Sequence, residues 1–113
     1  MVECIDEEGL SVLLKAVSDA TRRALLTQLC QQGASRVTDL AARYDMSLNA
    51  ISKHIKVLES AGLVRRTTRG RTHLIEADLE QVKLISNWLD SLKSIWQLSL
   101  DRLDDVLQQG EDK

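Results

Sequence analysis

The sequence predicts a mainly α-helical domain with one small β-hairpin, and three observations predict it. The chain has no proline and only five glycines in 113 residues, with 43% hydrophobic and 28% charged. That composition suits helices and disfavours a many-turned β-sandwich. Apolar residues recur at helical spacing in four successive stretches and again in a long final one. One stretch alone, between Gly62 and Asp78, changes to β-compatible runs around a glycine. The length fits a single domain spanning 1–113.

The elements follow in order. Residues 6–18, DEEGLSVLLKAVS, place Leu10, Leu13, Leu14 and Val17 at helical spacing. In 19–33, DATRRALLTQLCQQG, Asp19 is an N-cap candidate, Leu25, Leu26 and Leu29 form an apolar side, and Gly33 stops the helix. Cys30 sits among these leucines and reads as a small buried hydrophobe. A shorter helix over 35–45, SRVTDLAARYD, carries Val37, Leu40, Ala41 and Tyr44 on one side. After a brief turn, Ser47 can cap a helix over 48–61, which Gly62 ends. LVRRTT and RTHLIEA then form a hairpin with a basic tip, where Gly70 can supply a positive φ. From Asp78 nearly to Gln109 a last helix carries Val82, Ile85, Leu89, Leu92, Trp96, Leu103 and Val106, interrupted by Ser99. About 30 helical residues extend about 45 Å, more than the domain's own core needs, and a domain this small gains from oligomerising.

Two helices joined by a tight turn and followed by a hairpin make a winged helix-turn-helix of five helices plus a wing. The supporting helix is 36–44 and the recognition helix 48–61. The second helix of such a motif lies in the major groove of double-stranded DNA. Its inner face carries Ile51, Ile55 and Leu58; its outer face carries Asn49, Ser52, Lys53 and Lys56 at i, i+3, i+4 and i+7. Asn49 can read adenine or accept from cytosine, Ser52 permits close approach, and both lysines can reach phosphate or guanine. Ser47 and the backbone N–H groups at the helix start can hold a phosphate. Arg66 adds to the basic surface, and Arg69 and Arg71 at the hairpin tip can reach a minor groove or the backbone.

A formal net charge of −2 conceals strong polarisation. Residues 47–73 carry six basic side chains against Glu59 alone, whereas the remainder carries nine basic against sixteen acidic. A solvated helix face would mix signs, as DLEQVK and LDRLDD do elsewhere in the chain. No apolar run approaches the ~20 residues of a membrane span, and the acidic start is unlike a signal peptide. The expected location is the cytoplasm. No paired-carboxylate site, phosphate loop or nucleophile–base set has a recognisable spacing, so neither catalysis nor a cofactor is expected. His54 leans toward the inner face as a packed, hydrogen-bonded histidine, and His73 lies in a hairpin strand; their separation is not a metal-ligand spacing. Trp88 and Trp96 sit at helical spacing on the apolar stripe, which reads as interface core over a small-molecule pocket.

The segments LSVLLKAVSDATRRALLTQL, VTDLAARYDMSLNAISKHIKVLESAGLVRR and GRTHLIEADLEQV, with the final WLDSLKSIWQLSLDRLDDVL, resemble the ArsR-type winged-helix transcriptional regulators. The resemblance covers about residues 10–107. It implies a homodimeric repressor that binds an imperfect inverted repeat near its own promoter. It implies a DNA-binding core at 19–77 and dimerisation helices at 7–17 and 79–108. Metal-sensing members carry Cys-x-Cys in the supporting helix, or His and Asp pairs in the last helix. Here VTDLAARYD has no Cys or His, and the last helix has neither, so no metal site is expected. Ala20 stands where many relatives have Pro, a small change because Ala is a good helix former. Two alternatives remain: a thiol-based metal, metalloid or redox sensor using Cys4 and Cys30, and a protein-interaction module, which the basic face disfavours.

Overall fold

The computed structural model describes residues 7–111, with side chains through residue 108. The order is α1 (Glu7–Ala16), α2 (Ala20–Gln32), β1 (Ser35–Arg36), α3 (Val37–Arg43), α4 (Leu48–Ser60), β2 (Val64–Arg69), β3 (Thr72–Ala77) and α5 (Leu79–Glu111).

Local chemistry sets most of these boundaries. Asp19 accepts a hydrogen bond from the Arg22 backbone N–H at 3.1 Å and starts α2. Gly33, at φ 81°, closes α2 by donating to the Leu29 carbonyl at 2.9 Å. The turn from α3 to α4 puts Asp45 at φ 51°, the one non-glycine with positive φ among the described residues. Asp is one of the few side chains that tolerate that region. The inner face of α4, Ile51, Ile55 and Leu58, is fully buried, together with Leu25, Leu40, Leu63 and Ile75. Each such side chain contributes about 1.5–3 kcal/mol by leaving water.

The sheet differs from the expected two-stranded hairpin. It has three strands in the order β1-β3-β2, with Ser35 opposite Ile75 and Arg36 opposite Leu74. Residues 35–36 are therefore strand, and α3 begins at Val37. Two residues are too few to show alternation, and their partner strand is distant in sequence. In the wing itself, Arg69 pairs with Thr72 and leaves Gly70 and Arg71 as the loop. Positive φ at Gly70 alone, the first loop residue, is the type II′ pattern that matches strand twist.

Gly62 lies at φ 77°, and an added Cβ would stand 3.0 Å from the Gln81 Cγ. Gly62→Ala is expected to destabilise the fold by about 1–2 kcal/mol from backbone strain alone. Thermal unfolding should show a Tm fall of roughly 4–8 °C per kcal/mol for a domain of this size. An unchanged Tm would mean that the corner between α4 and the wing relaxes freely.

Cys30 is a correction. It is exposed, because α2 turns Leu25, Gln28 and Leu29 to the core and leaves the next position outside. Cys4 lies outside the described residues. The first turns of α5 lay Val82, Leu84 and Ile85 on the core. Farther on the helix leaves the body, and the chain with it extends 76 × 31 × 24 Å. Its later apolar residues stay open to solvent, with Leu92 45% and Trp96 67% exposed. Among the described residues no helix is long and apolar enough to cross a membrane.

Candidate nucleic-acid interface

Ser47 caps α4, its Oγ accepting from the Ala50 N–H at 3.1 Å. The cap leaves the Ser47 hydroxyl proton free to donate outward. Asn49, Lys53 and Lys56 are exposed and Ser52 is half-buried. All four line one surface cleft of about 360 Å³, and the fifth residue there is Arg66 from the wing. Arg66 arrives by strand register. It pairs with Ile75, and cross-strand partners share a face, so its side chain lies on the core side with α4. Its Nε stands 3.4 Å from the Glu59 Oε2, at the far end of α4. That exposed pair adds little stability but keeps the guanidinium at the cleft.

The other basic residues of the wing are dispersed. Arg65, one position earlier, points to the opposite face and is paired, its Nη2 3.3 Å from Glu76 and its Nε 3.9 Å from Asp78. Arg69 is exposed at the tip, on the same face as Arg65. Arg71 lines a separate cleft of about 190 Å³ with Arg36, Thr38, Thr72 and His73. Among the described residues Lys53, Lys56, Arg69 and Arg71 make no ion pair. Sequence reasoning missed Arg36, because its nearness to Arg71 follows from the pairing of β1 with β3. His73 Nδ1 lies 3.2 Å from the Thr68 Oγ1 across the hairpin.

His54 turns inward, 22% exposed, toward the corner between α1 and α2. Its Nδ1 is 3.5 Å from the Arg22 Nη1 and 3.8 Å from the Asp19 Oδ2. Arg22 also donates to the carbonyls of Ala16 at 2.7 Å and Lys15 at 3.1 Å. The cluster thus fixes α4 against the helices behind it. The Asp19 carboxyl is held below its ordinary value chiefly by the hydrogen bond from the Arg22 backbone N–H, with partial desolvation opposing and the Arg22 charge assisting. A lowered folded-state pKa gives stability that is present above the unfolded carboxylate value and lost as pH falls through the folded one. The Tm gap between the wild type and Asp19→Ala should therefore be wider at pH 6 than at pH 3. A gap independent of pH would show that the carboxylate charge plays no part in the cap.

Comparisons with known proteins show the fold and the family. The helix-turn-helix domain family matches residues 17–67. The uncharacterized HTH-type transcriptional regulator YuzN of Bacillus subtilis is 34% identical over 85 residues, covering 69% of this chain and 92% of that one. The arsenical resistance operon repressor of Bacillus subtilis is 31% identical over 68 residues, 60% of this chain and 65% of that one. A solved ArsR family transcriptional regulator is 32% identical with a TM-score of 0.78, over 84% of this chain and 97% of that one. By its five helices and wing, and by these likenesses, the chain belongs to the ArsR-type family of winged helix-turn-helix, DNA-binding transcriptional regulators.

Proposed function

We propose that the chain acts as a homodimeric repressor that binds an inverted repeat in a promoter, its own among them. The observation carrying this reading is the cleft that unites Asn49, Ser52, Lys53 and Lys56 of α4 with Arg66 of the wing. Asn49 and Ser52 meet base edges in the major groove; Lys53, Lys56 and Arg66 meet phosphate or guanine. Ser47 donates to a phosphate at the start of α4, while Arg69 and Arg71 take the flanking backbone or minor groove. Residues 19–77 form the DNA-binding core, and the helices at 7–17 and 79–108 form the dimer. The open apolar half of α5 supports that division. Two such units would address major grooves about 34–36 Å apart. The protein works by binding, without catalysis, in the cytoplasm.

The thiol-sensing alternative has less support. It rests on two thiols alone, of which Cys30 stands exposed on α2 and Cys4 lies outside the described residues. The name of the arsenical resistance relative is consistent with repression by this chain but carries no ligand over to it.

The test is fluorescence anisotropy with the DNA upstream of the gene against a scrambled duplex, at two salt concentrations. Tight binding that prefers the native DNA and weakens steeply with salt is expected. Equal, weak binding to both duplexes would sink the assignment of a nearby operator.

A further inference from the structure

A second, larger cleft of about 500 Å³ lies between α1 and α4. Val12, Ala16 and Val57 supply its apolar floor, and Lys15, Lys53 and Lys56 stand around it. Val12 and Val57 are 46% and 39% exposed there, whereas the α4 inner face, Ile51, Ile55 and Leu58, is sealed. Among the described residues no acidic side chain lines the cleft. Among the described residues none of the three lysines has a carboxylate partner. Three lysines around an apolar floor, their aliphatic stems along it, fit a ligand with a greasy body and an anionic head. The volume falls within the range of small-molecule sites, about 300–1,000 Å³.

We propose that this cleft binds a small amphipathic carboxylate, with its apolar body against Val12, Ala16 and Val57 and its carboxylate among Lys15, Lys53 and Lys56. Lys53 and Lys56 also line the cleft on the outer face of α4. An occupant therefore draws the same two ammonium groups away from phosphate, and ligand and DNA oppose each other. The opposition rests on the DNA reading above; the binding itself does not.

The probe is decanoate, with decanol as the uncharged control, followed by methyl NMR of the full chain without DNA. Decanoate should give saturable shifts at the Val12 and Val57 methyls. Decanol should bind about tenfold more weakly or worse, because it lacks the charge-assisted contacts. Val12→Gln, an exposed position, should abolish binding by spoiling the floor, and Lys15→Ala should weaken it by removing one cation. In DNA anisotropy, decanoate at ten times its Kd should raise the apparent DNA Kd by mass action, about elevenfold for each of the two clefts of a dimer. In Val12→Gln, whatever its own affinity for DNA, decanoate should no longer change that affinity. Absence of shifts at millimolar decanoate overturns the proposal, as does equal binding of decanol. Dissociation of a dimer by Val12→Gln also overturns it, since a second copy then covers the floor. Decanoate binding with unchanged DNA affinity overturns the opposition. Failure of DNA binding altogether would be visible without decanoate and would leave the methyl shifts to decide the site.

Discussion

Replacing Lys53 and Lys56 together by alanine is expected to lower DNA affinity about a hundredfold or more near physiological salt, and to flatten its salt dependence. Both side chains are exposed and unpaired among the described residues, so neither has a structural duty that would confuse the result. Folding stability should stay within about 0.5 kcal/mol of the wild type, as for most surface substitutions. Each lost phosphate contact reduces the slope of log K against log salt by about 0.9, so a dimer losing four contacts changes it by about 3.6. Asn49→Ala should behave differently. It should keep the salt slope and lose about 1–3 kcal/mol of discrimination between bases, because its amide reads an edge and carries no charge. An unchanged slope in the double lysine variant would remove phosphate as their target. Wild-type binding by both variants would mean that the outer face of α4 is not the interface.

The two faces of α4 could be read from sequence because a single amphipathic helix reports both its partners. Period 3.6 sorts Ile51, Ile55 and Leu58 from Asn49, Ser52, Lys53 and Lys56 without any knowledge of the rest of the chain. Caps and turns were equally readable, since Asp19, Ser47 and Gly70 act through groups a few residues away. What escaped depended on distant pairing. β1 exists because Ser35 and Arg36 meet β3 some forty residues later. Arg65 and Arg66 look alike in sequence, yet strand register sends one to Glu76 and the other to the α4 cleft. Cys30, beside Leu29, looked buried, but one residue is a turn of about 100° around a helix, and the core face ends at Leu29. The cleft between α1 and α4 joins residues some forty positions apart, and no local period reports that.

The larger structural effect is expected in α5: Leu92→Glu with Trp96→Glu should convert a dimer to a single chain at micromolar concentration, measured by light scattering after size exclusion. The helix spans 33 residues, about 50 Å, and only its first turns rest on the core. From Ile85, the positions 92, 96 and 103 lie seven, eleven and eighteen residues on, each close to a whole number of turns. The stripe that anchors α5 through Val82 and Ile85 thus continues into solvent through Leu92, Trp96 and Leu103. An amphipathic helix without a packed face is marginal in water, so a partner for the stripe is expected, and a second copy offers the same stripe. Burying each large apolar side chain there contributes about 1.5–3 kcal/mol, and a carboxylate at two such positions reverses the sign. The core should survive, because neither residue touches it. Affinity for an inverted repeat should fall by about 10²–10⁴ as the two halves lose their linkage. Leu98→Glu is the control. Leu98 is 60% exposed but lies thirteen residues from Ile85, about 220° around the helix and off the stripe. A dimer that resists both stripe substitutions, or one that Leu98→Glu disrupts equally, would move the interface away from this face of α5. A wild-type mass of one chain would remove the dimer altogether, and with it the two-site reading of the operator.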